Sequence, residues 1–116
     1  ASASSRFSNA GTNAVAGRDD FVAALFYAQQ VAMARASNTN SVQLQVSASG
    51  TQVSVSQTQL PSNLLSVTMP NNVVIAAAPA TLVYSKLGTT TATGFTVTSS
   101  DGSNAVVVVE ASGYAH

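Results

Sequence analysis

Near Asn40 the hydropathy period of this chain changes once, from about 3.6 residues to about two, and it does not change back. Upstream, from Ala14 to about Ser37, good helix formers dominate, and Phe21, Leu25, Ala28 and Ala32 recur at spacings of 4, 3 and 4. That spacing predicts one amphipathic helix over about 13–37, with a single apolar stripe. Ala28 and Ala32 are small, so the stripe can approach a sheet closely. Thr12 or Asn13 is the expected cap, with Asp19 and Asp20 toward the N-terminal side where acids favour the helix dipole. The first dozen residues, small and polar around Gly11, are expected to be frayed or loosely helical.

Downstream, Val42, Leu44 and Val46 alternate with Gln43 and Gln45, and Val53 and Val55 alternate with Gln52, Ser54 and Ser56. Ser49-Gly50 supplies a turn between them, so the pair reads as a β-hairpin with one buried face. Pro61 and Pro70 bracket a connecting segment with room for one short strand. Further strands are expected over Val73–Ala78, closed by Pro79, over Thr81–Lys86, and from Phe95 onward. Gly88 to Thr91 reads as loop. Asp101-Gly102 is a hairpin turn signal. The four consecutive valines of Ala105–Glu110 fit a strand buried on both faces, and the sheet is expected to end at Ser112-Gly113. One helix followed by six or seven short strands defines an α+β fold with antiparallel sheet, in one domain over 1–116. Its core should join Phe21, Leu25, Ala28 and Ala32 to Val42, Leu44, Val46, Val53 and Val55.

Composition narrows function more than fold. Charged residues are 7% of the chain, against about 25% in ordinary globular domains, and about four residues in ten are Ser, Thr, Asn or Gln. Four basic residues (Arg6, Arg18, Arg35, Lys86) balance four acidic ones, so no field steers phosphates or anionic lipid. A polar, nearly uncharged surface suits a subunit packed among copies or facing the outside of a cell. With no cysteine, thiolate metal sites, Cys nucleophiles and disulfides are excluded. No run reaches the roughly 18 apolar residues that span a bilayer.

Catalytic chemistry finds little to work with. The one histidine, His116, is the last residue, and a terminus is rarely held well enough to act as a base. Asp101 is explained by its turn. Glu110 is explained by a buried partner such as Arg35. Carboxylates are too few for a calcium cage, and no glycine-rich phosphate loop is present. No catalytic residue, metal ligand or cofactor is therefore expected. SNAGTN and SSDGSN are ordinary turn clusters that could also hydrogen-bond a sugar or a partner. Val22, Phe26 and Met33 lie off the main stripe, marking either a subunit interface or a second layer folded over the helix.

The stretch RDDFVAALFYAQQVAMARA resembles the helix segment of the GspH/FimT family of type IV minor pilins and pseudopilins. That segment runs leucine, leucine, alanine-arginine, alanine and arginine where this chain has Phe21, Leu25, Ala28-Gln29, Ala32 and Arg35. VVVVEASGYAH resembles the family's closing strand and small-residue-glycine turn. SSRFSN resembles the junction of membrane helix and head, especially in MSHA-type (MshC-like) minor pilins. The resemblance implies a helix-plus-β-sandwich head held in the bacterial inner membrane by a preceding apolar helix, then built into an extracellular pilus or periplasmic pseudopilus. It implies other pilins as partners, and a role in assembly, initiation or at the tip. Arg6, Phe7, Val15 and Arg18, which continue the missing segment, would lie closest to neighbouring subunits. A glycan-binding adhesive head and a DNA-uptake pilin are the alternatives. The isolated chain is expected to be monomeric.

Some FimT-type relatives bind DNA through a basic C-terminal motif, whereas ASGYAH carries no Arg or Lys. With net charge +0, the chain should not retard duplex DNA at about 0.15 M salt. A clear shift at micromolar protein would overturn this and promote DNA uptake.

Overall fold

The computed structural model describes residues 2–34, 41–57, 63–76, 80–100 and 102–116, with side chains of the helix from residue 14 onward. Among these residues one helix, α1 (Ser2–Ala34), precedes seven strands: β1 (Val42–Val46), β2 (Gln52–Gln57), β3 (Leu65–Thr68), β4 (Val73–Ile75), β5 (Ala80–Tyr84), β6 (Thr93–Ser99) and β7 (Asn104–Val109). They form two antiparallel sheets, in the orders β3-β2-β1-β5 and β4-β6-β7. α1 rests on strands of both. The molecule measures 51 × 27 × 26 Å. A 33-residue helix is about 50 Å long, so α1 spans the long axis.

α1 starts well before the expected cap at Thr12 or Asn13. The preceding residues are mostly Ala and Ser with no proline, and a lone Gly costs a long helix only about 1 kcal/mol. SNAGTN is therefore helical, not a turn. Asp19 and Asp20 sit at mid-helix, beyond reach of the N-terminal dipole. The helix is described as far as Ala34, and Arg35 lies outside the described residues.

The buried positions of α1 are Ala14, Gly17, Phe21, Ala24, Leu25, Ala28 and Ala32. Phe21, Leu25, Ala28 and Ala32 are 0% exposed, as are Val42, Leu44, Val53 and Val55, and Val46 is 3%. The expected core is the observed one, extended by the second sheet through Val73, Ile75, Phe95, Val97, Val107 and Val109. Phe21 and Phe95 meet edge to face, with ring centroids 4.9 Å apart and planes at 71°. Gly17 makes the closest approach. A Cβ there would lie 2.9 Å from a methyl of Val73 and 3.1 Å from one of Val97, so the missing side chain is what lets α1 sit on β4 and β6.

The hairpin β1–β2 has the expected alternation, with Leu44 opposite Val55 and Val46 opposite Val53. Its turn also joins the two sheets: the Ile75 amide donates to the Gly50 carbonyl at 2.8 Å. The segment between the prolines supplies β3, paired to β2. β4 stops at Ile75, short of the expected Ala78; Ala77, Ala78 and Pro79 lie outside the described residues. The turn after β6 closes by the Gly102 amide donating to the Ser99 carbonyl at 3.0 Å. Asp101 lies outside the described residues.

β7 corrects a reading of the valine run. Val107 and Val109 are buried, but Val106 and Val108 are 54% and 40% exposed. α1 covers only one face of this sheet, so the alternation of a half-covered strand applies even where every residue is Val.

Tyr84, at the end of β5, is wholly buried, and its hydroxyl has no hydrogen-bond partner among the described residues. Burial pushes its pKa up to about 12. The phenol is thus neutral in the fold above the pH at which it ionises in the unfolded chain. The stability tied to that neutrality is full below about pH 10 and is lost as pH rises toward about 12. Tyr84→Phe removes an unsatisfied donor without opening a cavity, so it should leave thermal stability at pH 7 unchanged or raise it by about 1–2 kcal/mol. It should also flatten part of the alkaline decline measured by thermal melts from pH 9 to about 12.

Candidate interaction surface

After β7 the chain does not simply leave the sheet. It turns at residues 111–113 and returns along β7. The Gly113 amide donates to the Glu110 carbonyl at 2.8 Å and the Glu110 amide to the Tyr114 carbonyl at 2.9 Å. Val108 and His116 exchange both backbone bonds, at 2.9 and 3.0 Å, with Ala115 bridged to Val109. His116 is therefore held, contrary to what is expected of a last residue. Its imidazole Nε2 lies 2.9 Å from Glu110 Oε2, and its ring stacks on Tyr114 at 5.1 Å. Glu110 is exposed and partnered by His116, so it is not the buried group expected; Arg35, the partner expected for it, lies outside the described residues.

α1 fixes this C-terminal strap through Gln29, whose amide Nε2 donates to the Gly88 carbonyl at 3.1 Å and to the Ser112 carbonyl at 3.2 Å. One side chain thereby ties the turn after β5 and the strap to the helix. Gly113 is where they crowd together. Its φ is +91°, and a Cβ would collide with the Gly88 carbonyl and lie 2.5 Å from Gln29 Nε2.

Between strap and helix runs an open cleft of about 520 Å³, lined by Asp19, Val22, Phe26 and Gln29 of α1 and by Tyr114 and Ala115 of the strap. Phe26 and Tyr114 are each 60% exposed, and Met33, further along α1, is 51% exposed. Of the two readings open for Val22, Phe26 and Met33, the second layer is absent among the described residues. Val22 is partly buried against the core instead. A second cleft, of about 340 Å³, lies on the outer face of the four-stranded sheet. Amides and hydroxyls of Gln45, Gln52, Ser54, Asn63, Ser66 and Thr81 line it.

Of the residues expected to meet neighbouring subunits, Arg6 and Phe7 lie on α1, with side chains outside the described set. Val15 is half exposed on the outward side of the helix. Arg18, beside it, has its guanidinium 3.4 Å from the carboxylate of Asp19. α1 thus brings Val15 into line with Val22, Phe26 and Met33, a grouping the apolar spacing alone did not single out. Among the described residues, no group of three or more His, Asp or Glu side chains is placed to hold a metal. Among the same residues, no helix is long and apolar enough to cross a membrane.

One long helix laid across two antiparallel sheets, with the C-terminal residues folded back beside it, defines the α+β pilin-like fold. Two crystal structures of the type IV minor pilin FimU from Pseudomonas aeruginosa PAO1 share it. One has a TM-score of 0.71 at 16% identity, covering 95% of this chain and 90% of that one. The other, in a second crystal form, has a TM-score of 0.67 at 16% identity, covering 87% and 89%. At that identity the likeness is one of fold. No family model and no curated protein sequence matches the chain.

The crowding at Gly113 can be separated from its backbone strain. Gly102 also has positive φ, +94°, but a Cβ there meets nothing within 4 Å. Gly102→Ala should cost about 1–2 kcal/mol from conformation alone. Gly113→Ala should cost at least about 1 kcal/mol more by adding a collision. Chemical denaturation of the two variants checks the difference, and equal losses would show that the strap gives way freely.

Proposed function

We propose that this chain is a non-enzymatic structural subunit, a minor pilin or pseudopilin, of a type IV pilus or type II secretion filament, acting in assembly or initiation or at the tip. What supports this most is the correspondence along 95% of the chain to the structure of a type IV minor pilin. An outward helix face with exposed apolar residues agrees with it, since a filament subunit needs a surface for its neighbours. On this reading its partners are other pilins, and it resides at the inner membrane before entering the filament. On this reading it is a subunit of the GspH/FimT kind, of the MSHA type. Contacts would run along α1 through Arg6, Phe7, Val15 and Arg18.

A glycan-binding head is the second reading, and the uncharged polar cleft on the four-stranded sheet favours it. Amides and hydroxyls both donate and accept, as sugar hydroxyls require.

Cysteines placed at Val15 or Arg18 of the full-length protein in its native cells should cross-link to other pilins. A cysteine on the outer sheet, at Thr81, should not. An open reading frame encoding an ordinary cleaved secretion signal directly before Ala1 would sink the filament reading and leave the glycan-binding head.

A further inference from the structure

With no cysteine and no tryptophan, the two thioethers, Met33 and Met69, are the most readily oxidised side chains of the molecule, and the fold treats them oppositely. Met69 is 5% exposed, its sulfur packed beside Gly17 in the core. Met33 is 51% exposed, one turn beyond Gln29 on the same side of α1. Its sulfur nevertheless has a defined seat. A Cβ at Gly88 would lie 2.8 Å from Met33 Sδ, 3.1 Å from Met33 Cγ and 3.2 Å from Gln29 Cγ. The methionine and glutamine side chains therefore lie together over a turn that has no side chain of its own. The Gln29 amide is fully committed there, because its two N–H groups serve the Gly88 and Ser112 carbonyls.

We propose that Met33 is a site of reversible oxidation by a peroxide, and that its sulfoxide loosens the C-terminal strap from α1. A sulfur lone pair attacks one peroxide oxygen and the O–O bond breaks. The second oxygen leaves as hydroxide and takes up a proton, giving water when the oxidant is hydrogen peroxide. Sulfur gains an S–O bond and loses two electrons, the same two that reduce the peroxide. A thioether needs no deprotonation to react, so solvent access decides which of the two methionines is taken.

The product differs from the thioether in two ways that matter at this seat. It is polar, so the apolar packing against Gly88 and the stem of Gln29 weakens. Its oxygen is also a strong acceptor four residues from Gln29 on one helix face, where it competes for the N–H groups now given to Gly88 and Ser112. Loss of the Ser112 bond frees the strap, and loss of the Gly88 bond frees the turn on which Gly113 rests. Either way the wall of the 520 Å³ cleft that carries Tyr114 and Ala115 loosens. Reduction of the sulfoxide back to the thioether restores the wall.

Brief treatment of the chain with hydrogen peroxide, followed by peptide mass mapping and by amide hydrogen exchange, tests this. Met33 should oxidise within about threefold of the rate of an unstructured methionine peptide. Met69, which reacts only when the fold opens, should be at least about tenfold slower. In the Met33 sulfoxide, exchange of the Gly113 and His116 amides should rise at least about threefold, the factor for one net hydrogen bond, while hairpin β1–β2 stays unchanged. A methionine sulfoxide reductase should reverse the rise. Met33→Leu keeps the apolar seat and should make strap exchange insensitive to peroxide. Gln29→Ala should exchange faster before peroxide and no faster after it. Equal oxidation of the two methionines overturns the proposal, as does a Met33 sulfoxide with unchanged strap exchange. A peroxide-driven rise that persists in Met33→Leu or recurs in Gln29→Ala overturns it as well. The sulfur reacts in the free chain, so none of these outcomes bears on whether the chain enters a filament.

Discussion

The contact of α1 with both sheets is the interaction on which the rest depends. Among the described residues neither sheet has a partner layer of its own: one has four strands and the other three, and each buries its inner face against the same helix. That face must be close-fitting, because a bulky residue at Gly17 or Ala28 would lift the helix off β4, β6 and the first hairpin together. Small residues alternate with two large ones, Phe21 and Leu25, which fill the space that two separately twisted sheets leave between them. Elsewhere the second sheet is tied on by backbone bonds from the Ile75 amide to the Gly50 carbonyl and from the Thr90 amide to the Ala111 carbonyl, and by the bonds of Gln29.

Much of this was legible from period and side-chain size. The stripe of Phe21, Leu25, Ala28 and Ala32 and the alternation of Val42 to Val55 name the inner faces without ambiguity, because each period leaves only one way to bury those residues. Three features were not legible for identifiable reasons. The start of α1 is set by cooperativity along a proline-free chain, and local capping signals do not report that. The exposure of Val106 and Val108 depends on how many layers cover the sheet, which no strand records in its own residues. The strap depends on Gly113 meeting Gly88 and Gln29, positions far apart in sequence.

The candidate surface was half visible. Val15 and Arg18 were reached by position along the helix, and Val22, Phe26 and Met33 by their misfit with the core stripe. That these belong to one line became clear only once the buried arc of α1 was fixed, since an outward direction is defined by what the helix turns away from. Tyr114 was hidden behind the assumption that the last residues trail off. The alternation of Tyr114 and His116 about Ala115 was its one trace in the sequence.

The return of residues 114–116 along β7 has a consequence for how the molecule behaves in a crowd. The outer side of β7 would otherwise present a row of free amides and carbonyls flanked by exposed valines, a template onto which any unfolded segment could zip. By pairing Val108 with His116 and Glu110 with Tyr114, the chain lays its own backbone over that row. The same few residues that frame the cleft thus act as a selvedge, a woven border that keeps the sheet from being lengthened by strangers while leaving its helix free to be met.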